Sequence, residues 1–177
     1  WYLIRKYGSD EQHAAHVANL ALSIFDQTKS LHKMGARERL HLQIASIMHD
    51  IGKFINLTQH EKHSSSIIRY QEILSLSKRE LSIIANISRY HSERVPTYND
   101  ARFRALKDED KTKVSKLAAI LKLADALDIT HKQKVRAVEI TRPGDRLDFN
   151  LFTHQEILLE TWSFDSHCDF FEEVMGI

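Results

Sequence analysis

Between Ser9 and Val95 the chain contains no proline, and apolar residues return every three or four positions along that stretch. A period near 3.6 without a helix breaker dictates successive amphipathic helices and leaves little room for a sheet. The first helix is predicted to begin at Ser9 or Asp10, either able to cap free N–H groups, and to run to about Lys29. Its buried stripe is Val17, Leu20, Ala21, Ile24 and Phe25. A second is expected from about Ala36 to His49, with Leu40, Ile44, Ile47 and Met48 inward and Gly52 just past its end. A third covers about Gln59 to Gln71. A fourth is announced by the capping-box pattern Ser77-Lys-Arg-Glu80 and runs to about His91.

The polar stretch from Ser92 to Ala105 reads as a loop, and a long helix from about Asp108 to Ile129 follows, with Val114, Leu117, Ile120, Leu121 and Leu123 on its apolar face. The period then changes to two. Val135–Ile140 and Leu147–Leu151 flank Arg142-Pro-Gly-Asp145, a hairpin signal. The last segment, about Ile157 to Met175, reads as helix, although Leu158–Phe164 would also suit an extended strand. The expected architecture is mainly α: a bundle of about five to seven helices over residues 1–133, with a small α/β appendage over residues 134–177 packed on it.

Composition narrows the function. Hydrophobic residues at 42% and charged residues at 28% suit a globular core. No apolar run approaches the roughly 18–20 residues of a membrane span. A single cysteine, Cys168, excludes a disulfide framework and a thiolate zinc cluster and agrees with a cytoplasmic location. The net charge of +1 splits into +7 over residues 1–141 and −6 over residues 142–177. Zinc-finger spacing and aromatic-interleaved basic strands are absent, so specific nucleic-acid binding is not expected. Trp1, Trp162, Phe164, Phe170 and Phe171 read as core or docking surface rather than as a base-stacking platform.

Eleven histidines are the unusual feature. His49-Asp50 places an imidazole beside a carboxylate at a helix end, where unsatisfied carbonyls and the macrodipole favour a cation. His13 and His16 on the first helix, His60 and His63 on the third, and His91 ending the fourth add further donors. Asp125 sits among Leu121, Ala124 and Leu127, a costly place for an unpaired carboxylate. Five helices thus each offer an imidazole or a carboxylate. By contrast, His32, His41, His131, His154 and His167 have no partner at ligand spacing and read as surface or satisfied polar residues.

His13-x-x-x-Val17-Ala18, His49-Asp50 and Ala124-Asp125 resemble the His … His-Asp … Asp signature of the HD-domain metal-dependent phosphohydrolase superfamily. Over nearly the whole chain, Asp10-Glu-Gln-His-Ala-Ala-His-Val17, His49-Asp-Ile-Gly-Lys-Phe-Ile55, His60-Glu-Lys-His-Ser64, Ala119–Asp128 and Phe170–Gly176 are similar to the C-terminal part of exopolyphosphatase / guanosine pentaphosphatase (Ppx/GppA) proteins. The resemblance implies an HD-domain bundle in which His13, His49, Asp50 and Asp125 hold one metal. It implies that His63 and His91 serve a second, with Asp50 as the bridge. His16 and His60 are the neighbouring alternatives: spacing to Val17 favours His13, and spacing to Ile67-Ile68 favours His63.

A nitrogen and carboxylate ligand set suits one or two ions of Mn, Fe, Co, Ni or Zn. Asp50 and Lys53 are the candidate catalytic residues, with Lys53 able to reach a phosphate oxygen. Arg94 and Lys122 are further substrate-binding candidates, each also readable as a surface charge. The implied activity is hydrolysis of a nucleotide or polyphosphate-type phosphoester, with a phosphorylated small molecule or polyphosphate as partner. In Ppx/GppA proteins such hydrolysis is attributed to preceding actin-like domains, and this chain has no Gly-rich phosphate loop. Trp1 in place of an initiator Met suits a fragment. The other reading is a non-catalytic regulatory or dimerisation module that binds metal or an anionic ligand, as a homodimer or docked on those domains.

Overall fold

The computed structural model describes residues 1–144 and 146–177 and is mainly helical, with a two-stranded antiparallel sheet near its C-terminus. A short helix α1 (Tyr2–Lys6), not anticipated from the sequence, precedes α2 (Glu11–Gln27). Asp10 caps α2: its carboxylate accepts from the backbone N–H of Gln12 and His13, offsetting two of the four free donors at the helix start. The expected stripe of α2, Val17 through Phe25, is buried.

After a short turn of helix α3 (Lys29–His32), α4 (Ala36–Met48) packs along α2. Its buried face is Leu42, Ala45 and Met48, whereas Leu40, Ile44 and Ile47 are only half-buried, so the helix is rotated from the expected orientation. The chain then tightens into a 3₁₀ turn over Ile51–Phe54, and Gly52 lies inside it. Glycine is required there by close approach and not by a left-handed turn. A Cβ on Gly52 would lie 2.2 Å from the His60 carbonyl oxygen and 2.3 Å from the Ser64 nitrogen. The Gly52 N–H donates to Ser64 Oγ at 2.8 Å, fastening the turn to α5 (His60–Arg69).

The predicted capping box opens α6 (Lys78–Arg89): the Glu80 N–H donates to Ser77 Oγ and the Ser77 N–H donates to Glu80 Oε2. The expected loop holds one more helical turn, α7 (Ala101–Arg104), capped by Asp100 accepting from the Arg102 N–H. The long helix α8 (Asp108–Ala126) packs against α2, α4 and α6, with Val114, Leu117, Ile120, Leu121 and Leu123 fully buried.

Strands β1 (Val135–Thr141) and β2 (Asp148–Thr153) pair with Val138 opposite Leu151 and Ile140 opposite Phe149. The expected turn at Arg142–Asp145 carries Gly144 at φ +70°, and its Asp145 lies outside the described residues. α2 covers the free edge of β1: Gln27 Nε2 donates to the Val138 carbonyl and Gln27 Oε1 accepts from the Ile140 N–H. A covered edge cannot recruit another strand. Helix α9 (Leu158–Met175) lies along α8, burying Phe164, Phe171 and Met175. The segment Leu158–Phe164 is helical, and Trp162 and Trp1 are exposed, so neither tryptophan is core.

Candidate metal centre

The C-terminal ends of α4, α6 and α8 meet the first turns of α2 and α5, and every one of these ends delivers an imidazole or a carboxylate. His49 and His91 follow the last residues of α4 and α6, Asp125 lies in the last turn of α8, and His13 and His60 open α2 and α5. His13, His49, Asp50 and His91 are buried, and Asp125 and His60 are nearly so.

Two sets of atoms form around Asp50. On one side His13 Nε2, His49 Nε2 and Asp125 Oδ1 lie 3.2–3.3 Å from one another, with Asp50 Oδ2 at 3.6–3.7 Å from both imidazoles. On the other, Asp50 Oδ1 is 3.1 Å from His60 Nε2 and 3.6 Å from His91 Nε2, and these two nitrogens are 3.0 Å apart. Ligands about 2.0–2.2 Å from a common ion stand about 3–3.6 Å from one another, so both sets have the spacing a cation needs. His13, His49 and Asp125 form one such grouping and His49, Asp50 and His91 another.

The tautomers are fixed from behind. His49 Nδ1–H donates to the Ser46 carbonyl at 2.7 Å, His91 Nδ1–H to the Ser88 carbonyl at 2.6 Å and His60 Nδ1–H to the Leu57 carbonyl at 3.1 Å. In each the acceptor is three residues upstream. His13 Nδ1–H donates to Asp128 Oδ2 at 2.8 Å, and Asp128 is itself held by the Gln133 N–H and side-chain amide. With one proton on Nδ1, each ring turns Nε2 inward as the atom that a cation, or a second proton, would take. Four Nε2 atoms therefore converge on two carboxylates. Such a set needs positive charge within it, whether a proton on His13 or an ion, so the residues present fit metal ions.

Electrostatics point the same way. Burial works against ionisation of Asp50, yet His49, His60 and His91 outweigh it and hold the carboxyl far below the usual range. Asp125 behaves likewise through His49 and His13. Burial opposes protonation of His13, but Asp125 and Asp128 overcome it and push the pKa up to about 9. Three carboxylates, those of Asp50, Asp125 and Asp128, gather here; Lys53 pairs with Asp50, and the buried Lys122 interacts with Asp125.

Six of the expected site residues, His13, His49, Asp50, Lys53, His91 and Asp125, come together here. His63 does not. The stripe of α5 that faces inward runs through Ser64 and Ile68, both fully buried, and His60 lies on it one turn before Ser64. His63 shares its stripe with half-buried Ile67, and its Cβ sits beside Gly52. His16 is likewise elsewhere, with Nε2–H donating to the Val135 carbonyl of β1. Arg94 is exposed and lines a separate cleft with Arg89 and Asp100. Lys122 is no surface charge: it is 1% exposed, and burial pushes its pKa down to about 8 against the opposing pull of Asp125 and Glu93.

Two contributors escaped the sequence reading. Asp128 orients His13, and His131 stacks on the His13 ring at 3.6 Å while bonding Asp10. His131 also lies within ligand range of His13 and Asp50. The sequence signal for Asp128 was its place three residues after Asp125, in the same apolar run. His32 is buried with both ring nitrogens partnered, as a satisfied-polar reading expects, whereas buried His41 bonds Glu80 through Nε2 and leaves Nδ1 without a partner.

A cleft of about 590 Å³ opens on the centre, floored by His91 and Asp125 and walled by α9. A second cavity, of about 620 Å³ between the hairpin and α9, is lined by Phe149, Phe164 and Phe171 and does not reach the carboxylates.

Residues 2–164 match the family described as Ppx/GppA phosphatase, domain III. Among curated proteins, the chain is 29% identical over 89 residues to a guanosine-5'-triphosphate,3'-diphosphate pyrophosphatase of Pseudoalteromonas translucida (strain TAC 125). That alignment covers 50% of this chain and 18% of the relative, so the chain corresponds to a minor part of that protein's length.

Proposed function

Because the chain belongs to the Ppx/GppA phosphatase family, as its domain III, we propose that it is itself a metal-dependent phosphohydrolase of the HD type, acting on a phosphoester of the nucleotide or polyphosphate kind. The observation that carries this reading is the convergence of four imidazole Nε2 atoms on the carboxylates of Asp50 and Asp125. His13, His49, Asp50 and Asp125 would hold one divalent ion, and His60, His91 and Asp50 the second. His60 takes the place that the family resemblance gave to His63. Nitrogen and oxygen donors suit Mn, Fe, Co, Ni or Zn.

When bound, such ions polarise a phosphoryl oxygen and lower the pKa of water. The protein's own residues do the positioning. Asp50, with one oxygen toward each set, fixes the two halves of the site relative to each other. Asp128 and the Ser46, Ser88 and Leu57 carbonyls hold each imidazole in the donor tautomer. Lys53 is about one-third exposed beside Asp50, where its ammonium can turn to a phosphoryl oxygen as substrate arrives. All proposed ligands fall within residues 1–133, which we take as the helical domain. Residues 134–177 form the appendage that contributes the cleft wall.

Loading the purified chain with Mn and following release of p-nitrophenol from bis-p-nitrophenyl phosphate and p-nitrophenyl phosphate tests the reading. Turnover that disappears with chelator and in Asp50→Ala supports it. Retained metal without turnover of either ester, in the chain alone, would instead assign it the regulatory role, docked on preceding actin-like domains or as a homodimer. The 18% coverage of the relative keeps that second reading in play.

A further inference from the structure

The cleft over the centre differs sharply from end to end. Its floor is the ligand pair His91 and Asp125, its side carries Glu93, and its rim is Ile129, Leu159 and Trp162. Trp162 is 73% exposed, Leu159 58% and Ile129 47%, on the first turns of α9 and just beyond the end of α8. A bare indole beside two aliphatic side chains is a flat apolar surface of the kind that marks a binding site. Among the described residues lining this cleft there is no Lys or Arg, and the carboxylate of Glu93 adds negative charge. Thr130 and Ser166 also line it. Their hydroxyls donate to Glu160 and to the Ser163 carbonyl, leaving oxygen lone pairs to accept hydrogen bonds.

These properties select among phosphoesters. Ions at the floor would neutralise one phosphoryl group. Every further phosphate of a linear chain would then lie along a wall whose lining carries the Glu93 carboxylate, while Lys122, 1% exposed, is buried and does not line it. A hydroxyl-bearing linker that ends in a planar ring finds hydroxyl acceptors and an exposed indole in the same lining. The volume of about 590 Å³ is that of a site for one small organic ligand.

We propose that this cleft takes a nucleoside monophosphate-type ester, with the phosphoryl group at Asp125 and His91 and the base stacked on Trp162, and that it disfavours linear polyphosphate. This inference rests on the phosphohydrolase reading for the location of the phosphoryl group. Trp162, which the sequence suggested as core or docking surface rather than a stacking platform, is then the specificity-determining residue, binding the ring without touching the reacting atoms.

The test uses the full chain loaded with Mn and three probes: AMP, ribose 5-phosphate and tripolyphosphate. kcat/KM for AMP is expected to exceed that for either of the others by about tenfold or more, the size of one base–aromatic stack. Trp162→Ala should collapse the discrimination between AMP and ribose 5-phosphate toward unity through KM, and Trp162→Phe should restore most of it. Discrimination unchanged in Trp162→Ala, or tripolyphosphate as the preferred probe, would overturn the proposal. Binding is read in parallel from the fluorescence of Trp162 in a Trp1→Phe background, Trp1 being the other tryptophan. Saturable quenching by AMP, and not by tripolyphosphate, without turnover would sustain this inference while removing the phosphohydrolase reading. Absence of quenching by AMP would overturn the inference even if other esters were hydrolysed.

Discussion

Substituting Gly52 by Ala probes how backbone packing sets the second half of the centre. The added Cβ would stand 2.2 Å from the His60 carbonyl oxygen and 2.3 Å from the Ser64 nitrogen. Carbon–oxygen contacts close no nearer than about 3.2 Å, so the start of α5 must retreat by about 1 Å, and backbone on both sides leaves no flexible side chain to absorb it. The retreat also breaks the hydrogen bond from the Gly52 N–H to Ser64 Oγ. Overpacking of this kind costs about 1–3 kcal/mol and the lost buried bond about 1 kcal/mol more. The expected destabilisation is therefore about 2–4 kcal/mol, read as a shift in urea midpoint at constant m. The same displacement carries His60 away from Asp50, from which its Nε2 now stands 3.1 Å. Metal ligands tolerate only about 0.2 Å, so Gly52→Ala should lose the ion at His60 and His91 while the set from α2, α4 and α8 keeps its own. Elemental analysis after Mn loading would then give one ion per chain in place of two. A variant within 0.5 kcal/mol of the parent that still held two ions would show that Gly52 is not tightly packed against α5.

Three further outcomes are expected. His60→Ala should reduce the metal content from two to one, whereas His63→Ala should leave it at two; the reverse pattern would return the ligand role to His63. Asp128→Asn removes the charged acceptor behind His13, and the first metal affinity should fall about 10–100-fold in competition with a chromogenic chelator, with an unchanged affinity contradicting that role. Lys122 has a folded pKa of about 8 against the usual 10.5, so folding disfavours its charged form. The penalty is fully present below pH 8, fades as pH rises from 8 through 10.5, and is gone above that, where both states are neutral. At 1.36 kcal/mol per unit the difference is about 3 kcal/mol. Lys122→Met should thus be more stable than the parent at pH 7 by up to that amount, with the gain shrinking toward pH 10.5 in denaturant titrations. A pH-independent difference would show that Lys122 is not desolvated in the folded state.

What could be read from the sequence depended on how local the cause was. The Asp10 cap, the Ser77–Glu80 box and the apolar stripes of α2 and α8 arise from residues within a turn or two of one another, and they stand where the pattern put them. Asp100 was an equally local cap for α7, hidden by the polar composition around it. Orientation was harder. α4 lies against α2 on one side and α6 and α8 on others, so Leu42 and Ala45 go inward while Ile44 and Ile47 stay half-buried. Lys122 is buried because α8 is enclosed by α2, α4, α6 and α9, and a single helical moment cannot announce enclosure from all sides. His60 shares its i, i+4 stripe with Ser64 and Ile68, and the Ile67 stripe of His63 carries equal weight in the sequence; which stripe faces Asp50 is set by the packing of α5 on the Ile51–Phe54 turn. Asp128 and His131 act across the fold on His13, and sequence distance conceals such contacts.

The bridging position of Asp50 is the point on which the account stands, and metal stoichiometry reads it directly. Elemental analysis of the parent chain after Mn loading and desalting should give two ions, and the same treatment of Asp50→Ala should give none, since that carboxylate serves both sets. A parent chain that retains no metal, or an Asp50→Ala variant that retains both ions, would contradict it.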